Sequence, residues 1–333
     1  MAFQSSKPFS RRDFIKYSAA GAASLSALNL FSGSGCGGGA RSRIALIRTD
    51  DRAEGVSQAM RLARFRPPAG KKVLIKPNFN TADPTPGSTH NDTLARIVEE
   101  LRERGAGRIT VGDRSGPQPT AEVLELKGIL EMGSRLDFDV INFSELPDED
   151  WLPFNFSGSH WDDGFLLARP VAESGYTVST CCLKTHQFGG VFTLSLKNWV
   201  GAAPRKLMRQ MHRSEHMRRM IAELNQPFAP DLVVLDGIEA YVDGGPAKGE
   251  KKTANVFIAG TDRVAVDAVG LAVLRHLGSN EAIMSTPIFE QEQIRRAVEM
   301  GLGVSGPDRI ELVTADQAGA SYAREIEKIL AEG

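Results

Sequence analysis

The sequence offers little cysteine and almost no charge imbalance. Only 3 cysteines occur among 333 residues, which excludes a disulfide framework and leaves too few thiolates for an iron–sulfur cluster held by this chain alone. Basic and acidic residues number 40 and 41, a formal net charge of -1, so nothing electrostatic points to a nucleic-acid partner. Beyond the amino-terminal forty residues there is no apolar run of the roughly 20 residues that a membrane span needs, no long low-complexity linker and no internal repeat. Two familiar signatures are also missing. The segment from Gly112 to Gly116 lacks the G-x-G-x-x-G spacing of a dinucleotide fingerprint, and no serine nucleophile elbow occurs. What remains is 41% hydrophobic and 24% charged, the composition of an ordinary globular protein with room for a large core.

Residues 1–40 read as an address label and are set aside from the fold. Ser10-Arg11-Arg12-Asp13-Phe14-Ile15-Lys16 resembles a twin-arginine export signal, with Arg11 and Arg12 as its pair, and the Ala- and Ser-rich stretch that follows is too weakly apolar for an anchor. Two endings stay open. Ser34-Gly35-Cys36 resembles a lipoprotein cleavage site, which would attach the protein to a membrane surface through Cys36, although Gly33 stands where such signals usually have Leu. Ordinary cleavage near Gly35 or Ala40 is the other. Either way, the twin-arginine machinery is an expected partner and the cell envelope or periplasm the expected location, with residues 41–333 as one mildly acidic domain.

From Arg43 onward, β-rich runs alternate with helical patterns, which predicts a wound, mostly parallel α/β sheet with helices on both faces. Strands are expected at Ile44–Ile47, Val73–Lys76, Ile109–Gly112, Val140–Asn142, Thr177–Leu183, Leu232–Leu235, Val256–Ala259 and Ile310–Val313. A helix capped by Asn91 or Asp92 should end near Gly105, and another should follow Asp262. Residues 147–164, with Trp151, Phe154, Phe156 and Trp161, break the alternation and read as an aromatic-rich insert or hairpin over the sheet. Cys181 and Cys182 are adjacent on an expected strand, point to opposite faces, and read as buried small residues.

Ligands of open α/β sheets bind beyond the carboxyl ends of the strands, which turns the strand ends into a list of candidate site residues. Lys76, Asn78, Lys184, Lys197 and Asn198, with Gly244 and Gly245 in a glycine-rich turn, are expected to hold a small anionic ligand. Lys184, His186 and Asp113 are the expected catalytic groups, His186 moving protons. Asp236, Asp262 and Asp267 are candidate ligands for a divalent metal, along with Asp113 and Asp243, but their spacing is loose, and Asp262 would serve equally as a helix cap. His212-Arg213-Ser214-Glu215-His216 fits an H-x-x-E-H zinc pattern, and a basic helix face or a lid over an anion explains the same residues more simply.

The same landmarks carry a family resemblance. Val73-Leu74-Ile75-Lys76-Pro77-Asn78, Leu183-Lys184-Thr185-His186, Ser195-Leu196-Lys197-Asn198 with Gly201, Asp236-Gly237 with Gly244-Gly245-Pro246, and Asp262 through Asp267 occur in order over residues 43–280. In this they resemble the domain-of-unknown-function family 362. The resemblance implies a family often fused to ferredoxin-type modules, with no reaction that can be carried over. An enzyme acting on a small anion, a noncatalytic anion- or metal-binding protein, and a redox partner of a separate iron–sulfur protein are the readings it leaves.

Overall fold

Continuous burial along the central strands decides the architecture, because successive side chains of a strand face opposite sides of its sheet and here both sides are covered. The computed structural model describes residues 41–333, so the expected signal pair Arg11 and Arg12 and the lipidation candidate Cys36 lie outside the described residues. The strands are β1 (Ser42–Arg48), β2 (Val73–Lys76), β3 (Ile109–Asp113), β4 (Asp139–Asn142), β5 (Trp151–Phe154), β6 (Phe165–Ala168), β7 (Tyr176–His186), β8 (Val191–Thr193), β9 (Leu232–Gly244), β10 (Gly249–Gly260) and β11 (Ile310–Val313). The helices are α1 (Arg52–Ala63), α2 (Asn91–Glu103), α3 (Thr120–Leu126), α4 (Ile129–Leu136), α5 (Arg169–Ala172), α6 (Ser195–Asn198), α7 (Met208–Arg213), α8 (Met217–Glu223), α9 (Arg263–His276), α10 (Glu281–Ser285), α11 (Glu292–Glu299) and α12 (Gln317–Glu332).

Nine strands form one sheet in the order β11-β1-β10-β9-β7-β2-β3-β4, with β8 paired to β7. Every pairing is parallel except those of β10 and β8. Leu46, Cys181, Leu183, Val233, Leu235 and Ile258 pack beneath α9, α11 and α12. Their neighbours Ile47, Val178, Leu232, Val234 and Phe257 pack beneath α1, α2 and α4 on the other face. A third cluster lies over the β2–β3 side, where the expected insert is a two-stranded hairpin of β5 and β6. Its Trp161 and Phe165 are buried with Trp199, Met211 and Met220.

All the expected strands are in the sheet, but β7, β9 and β10 run well beyond their apolar cores. β7 continues through His186, and β9 continues through Asp236 and Gly237 as far as Gly244 before turning into β10. Asp and Gly are poor strand residues, yet here a register shift beside Cys182 and another in β10 absorb them as irregularities within a long hairpin. Asp236 and Gly237 therefore sit within a strand, not on the loop expected for them. The α2 cap is His90, whose Nδ1 accepts the Asp92 N–H at 3.1 Å, not Asn91 or Asp92.

Glu223 fastens the aromatic hairpin to the body. Its fully buried carboxylate accepts from the His160 backbone N–H at 2.9 Å, Ser159 Oγ at 3.1 Å and Arg296 Nε at 2.9 Å, and contacts His160 Nδ1 at 2.6 Å. Glu223→Gln removes the charge from these bonds at nearly constant volume. It is expected to cost about 1–3 kcal/mol and to speed amide hydrogen exchange across 151–168 relative to β7. Equal exchange in the variant would mean the hairpin is held by its aromatic packing alone.

Candidate functional site

β2 and β3 end side by side, and their last residues form a closed ion pair: Lys76 Nζ lies 2.6 Å from Asp113 Oδ1, with both side chains almost fully buried. Lys76 also donates to the Pro77 carbonyl at 2.7 Å, and Asn198 Oδ1 lies 3.5 Å away. Asp113 accepts the backbone N–H groups of Phe79 at 2.7 Å and Arg114 at 2.6 Å. Its oxygens are thus engaged in fixing the turns after both strands, and burial outweighs the aspartate in holding the Lys76 pKa below its ordinary value.

Asn198 joins this pair to β7. Its Nδ2 donates to Lys76 O at 3.1 Å, Ser179 Oγ at 3.0 Å and Thr180 O at 3.3 Å, and its Oδ1 lies 3.4 Å from Asn78 Nδ2. The short helix α6 that carries Asn198 is itself held from below. Asp267 on α9 accepts the N–H groups of Ser195 at 2.7 Å and Leu196 at 3.0 Å. Burial pushes its carboxyl up to about 7 against the lowering effect of those bonds and of Arg263. Arg114 braces the next turn, donating to Ala203 O, Ser115 O and Val200 O.

Lys184 and His186 lie on the part of β7 that runs beyond β2. Lys184 Nζ donates to Gly87 O at 2.5 Å and Pro246 O at 3.0 Å, so one donor remains, and burial pulls its pKa down to about 8. The Gly244-Gly245 turn is what brings Pro246 there. Gly245 has φ +70, and a Cβ on it would fall 2.1 Å from Thr185 O. His186 Nδ1 accepts the Gly190 N–H at 3.3 Å, which leaves the ring proton on Nε2. Burial and the charges of Lys197 and Lys184 hold its pKa far below the ordinary value, so the resting His186 is neutral and presents Nε2–H as a donor. Lys197 approaches the same loop: a Cβ on Gly190 would lie 2.8 Å from His186 Nδ1 and 2.9 Å from Lys197 Cε.

Among the described residues Lys197 has no hydrogen-bond or ion-pair partner. Burial, then the charges of Lys184 and Arg114, bring its pKa down to about 7. Burial and Lys197 also lower the pKa of His212, which stands exposed on α7. Several buried polar atoms on the segments meeting here, Asn78 Oδ1, Ser115 Oγ, Thr180 Oγ1 and Trp199 Nε1, are without hydrogen-bond partners. Each is available to a ligand or an ordered water.

A family model described as "Domain of unknown function (DUF362)" matches residues 73–272, more than half of the chain. The chain belongs to the DUF362 family. The match spans every site residue from Lys76 to Asp267. A curated relative, the "Thylakoid-associated protein sll1697" of Synechocystis sp. (strain ATCC 27184 / PCC 6803 / Kazusa), is 27% identical over 217 residues. That alignment takes in 62% of this chain and 64% of the relative, so the chain spans less than two thirds of that protein's length. Among solved structures, the lactate racemase apoprotein from Thermoanaerobacterium thermosaccharolyticum is similar, with TM-score 0.45, 12% identity and 85% of each chain covered.

Not every expected site residue of this DUF362 chain joins the cluster. Because β10 runs antiparallel, its carboxyl end lies beside the first residues of β1 and β9, and Asp262 falls at that edge. There it caps α9 through Val264 N–H at 2.9 Å and Ala265 N–H at 3.0 Å, and also accepts from Ser42 Oγ and Val304 N–H. Asp236 is bound by Arg52 Nε at 3.0 Å and Thr93 Oγ1 at 2.6 Å on the α1–α2 side. The three aspartates expected as metal ligands therefore do not converge, and the described residues contain no group of three or more His, Cys, Asp or Glu side chains placed to hold a metal. Ser214, in an extended conformation, separates α7 from α8, so His212 and His216 do not share a helix face, and His216 instead packs on His160 with ring centroids 4.5 Å apart.

Sequence reasoning did not mark Gln293, whose Nε2 donates to Gly190 O at 2.7 Å, and placed Arg218, which donates to Gly189 O at 3.1 Å, only on the basic helix face. Both pin the loop that carries the His186 contact, and Gln293 stands in no motif that would have marked it. A surface depression of about 870 Å³ lies elsewhere, at the starts of β3 and β4. Its arginines, Arg102 and Arg108, are paired with Asp137 and Asp139, whereas the Lys197 cluster keeps donors unused, so the chemistry favours the latter.

Proposed function

We propose that this DUF362 protein is an exported enzyme that binds a small anion between α6 and the projecting end of β7, with Lys197, the remaining donor of Lys184 and Nε2–H of His186 as its contacts. One observation carries the reading. Lys197 has no carboxylate partner and feels the charges of Lys184 and Arg114, with the neutral His186 beside it, and an anion would balance that excess of positive charge. Lys76, Asp113, Asn198 and Asp267 then act as the frame that positions Lys197 and its loop. A divalent metal, if the ligand carries one, would arrive with the anion, since the aspartates do not supply a ready-made set. The twin-arginine-like leader supports export, Cys36 supports attachment at a membrane surface, and no helix among the described residues is long and apolar enough to cross a membrane.

Thermal melts with phosphate, oxalate and malonate test the anion site. At about 100 times its dissociation constant a ligand adds roughly 2.7 kcal/mol of stability, and Lys197→Gln is expected to abolish most of that gain while leaving the ligand-free melt nearly unchanged. No anion distinguishing the two proteins would sink the reading. Noncatalytic capture is the second reading, favoured by the commitment of Lys76 and Asp113 to internal bonds. Recovery of the bound small molecule chemically unaltered after incubation supports capture, and a changed molecule supports the enzyme.

A further inference from the structure

Lysines in this cluster differ in what their amines can still do. Lys76 is engaged with Asp113, Pro77 and Asn198, and Lys184 spends two of its donors on backbone carbonyls. Lys197 alone of the three is half-buried, and it is bonded to nothing among the described residues. His186 stands beside it, since a Cβ on Gly190 would lie 2.8 Å from His186 Nδ1 and 2.9 Å from Lys197 Cε, and the charges of Lys184 on β7 and Arg114 in the turn after β3 act on the amine, as its own charge acts on His186 and on His212 of α7. Each is cationic or neutral. An unpaired amine near two other cations in a partly desolvated site is an arrangement that turns lysine into a nucleophile toward carbonyl carbon.

We propose that Lys197 condenses with the carbonyl carbon of a small carboxylate-bearing aldehyde or ketone, forming an imine, with Lys184 and His186 Nε2–H holding the carboxylate. The inference rests on the anion-site reading above and adds a covalent step to it. The Nζ lone pair forms the new bond to carbon while the carbonyl π pair moves to oxygen, which takes up a proton. Loss of that oxygen as water, with the remaining amine hydrogen released, leaves C=N in place of C=O. One amine and one carbonyl give one imine and one water, with no oxidant or reductant required. A neutral Nζ begins the step, and with its pKa brought down to about 7 a large share of the amine is neutral at neutral pH, unlike a surface lysine with its ordinary value near 10.4.

The folded protein is incubated with glyoxylate or pyruvate, treated with borohydride to fix any imine as a secondary amine, digested and mapped by mass spectrometry. A single reduced adduct on the Lys197 peptide is expected, at least tenfold above any other lysine, with labelling that rises through about pH 7 and levels off. Lys197→Arg should abolish the adduct while the chain still folds and melts as one transition. Adducts spread evenly over surface lysines, or a pH profile still climbing at pH 10, would overturn the imine. Stabilisation by oxalate without any adduct would also overturn it while leaving the anion site standing, and absence of both would remove the two together.

Discussion

Replacing Asp113 by alanine is expected to lower the stability of the folded chain by about 3–5 kcal/mol, because it leaves the ammonium of Lys76 buried without its counter-charge. The same change orphans the N–H groups of Phe79 and Arg114. Lys76 can respond by giving up its proton, and the sign of the pH effect follows. Without Asp113 the folded-state pKa falls further below the unfolded value, so the unfolded chain binds more protons and stability rises with pH between the two values. Urea melts of Asp113→Ala should therefore recover part of the deficit as pH climbs toward 10. The double variant Lys76→Met/Asp113→Ala removes the buried charge altogether and should be the more stable of the two at pH 7. A deficit below about 1 kcal/mol, or a deficit that grows with pH, would show that the pair is not the anchor of the β2 and β3 ends.

Gly245→Ala is the second large effect, and its size is separable from ordinary glycine strain. At Gly70, φ is +77 with open space where a Cβ would go, so Gly70→Ala measures the backbone term alone, about 1 kcal/mol. At Gly245 the backbone conformation is similar, but the new methyl would meet the carbonyl of Thr185 at 2.1 Å, and neither chain can yield without moving Pro246 and the Lys184 ammonium it holds. Roughly 2–4 kcal/mol is expected, together with loss of the oxalate-dependent rise in melting temperature. Equal losses for the two alanine variants would mean that the turn adjusts without disturbing Lys184.

Strand positions were legible because their apolar cores are short, β-branched and bounded by polar text, and hydrophobic periodicity is the strongest signal a sequence carries. The strand ends were not. Lys184-Thr185-His186 read as a loop because polar residues usually end strands, yet all three are buried in β7, their polar groups met by Gly87, Pro246, Tyr241 and Gly190 from distant segments. The antiparallel direction of β10 was equally hidden, since strand polarity leaves no mark in composition, and that direction is what carries Asp262 to the far edge. The order of the motifs located Lys76, Asn198 and Lys197 near one another. That Lys184 would be spent on internal carbonyls depended on contacts with distant segments, at Gly87 and Pro246.

β1 lies between β10 and β11, strands that begin about 200 and 260 residues after β1 ends. β1 is thus made well before either neighbour, and both of its edges stay open until those segments follow. Such long-separation pairing is slow to form, and a chain truncated before Ile310 would present one side of β1 as an unpaired edge, the usual invitation to self-association.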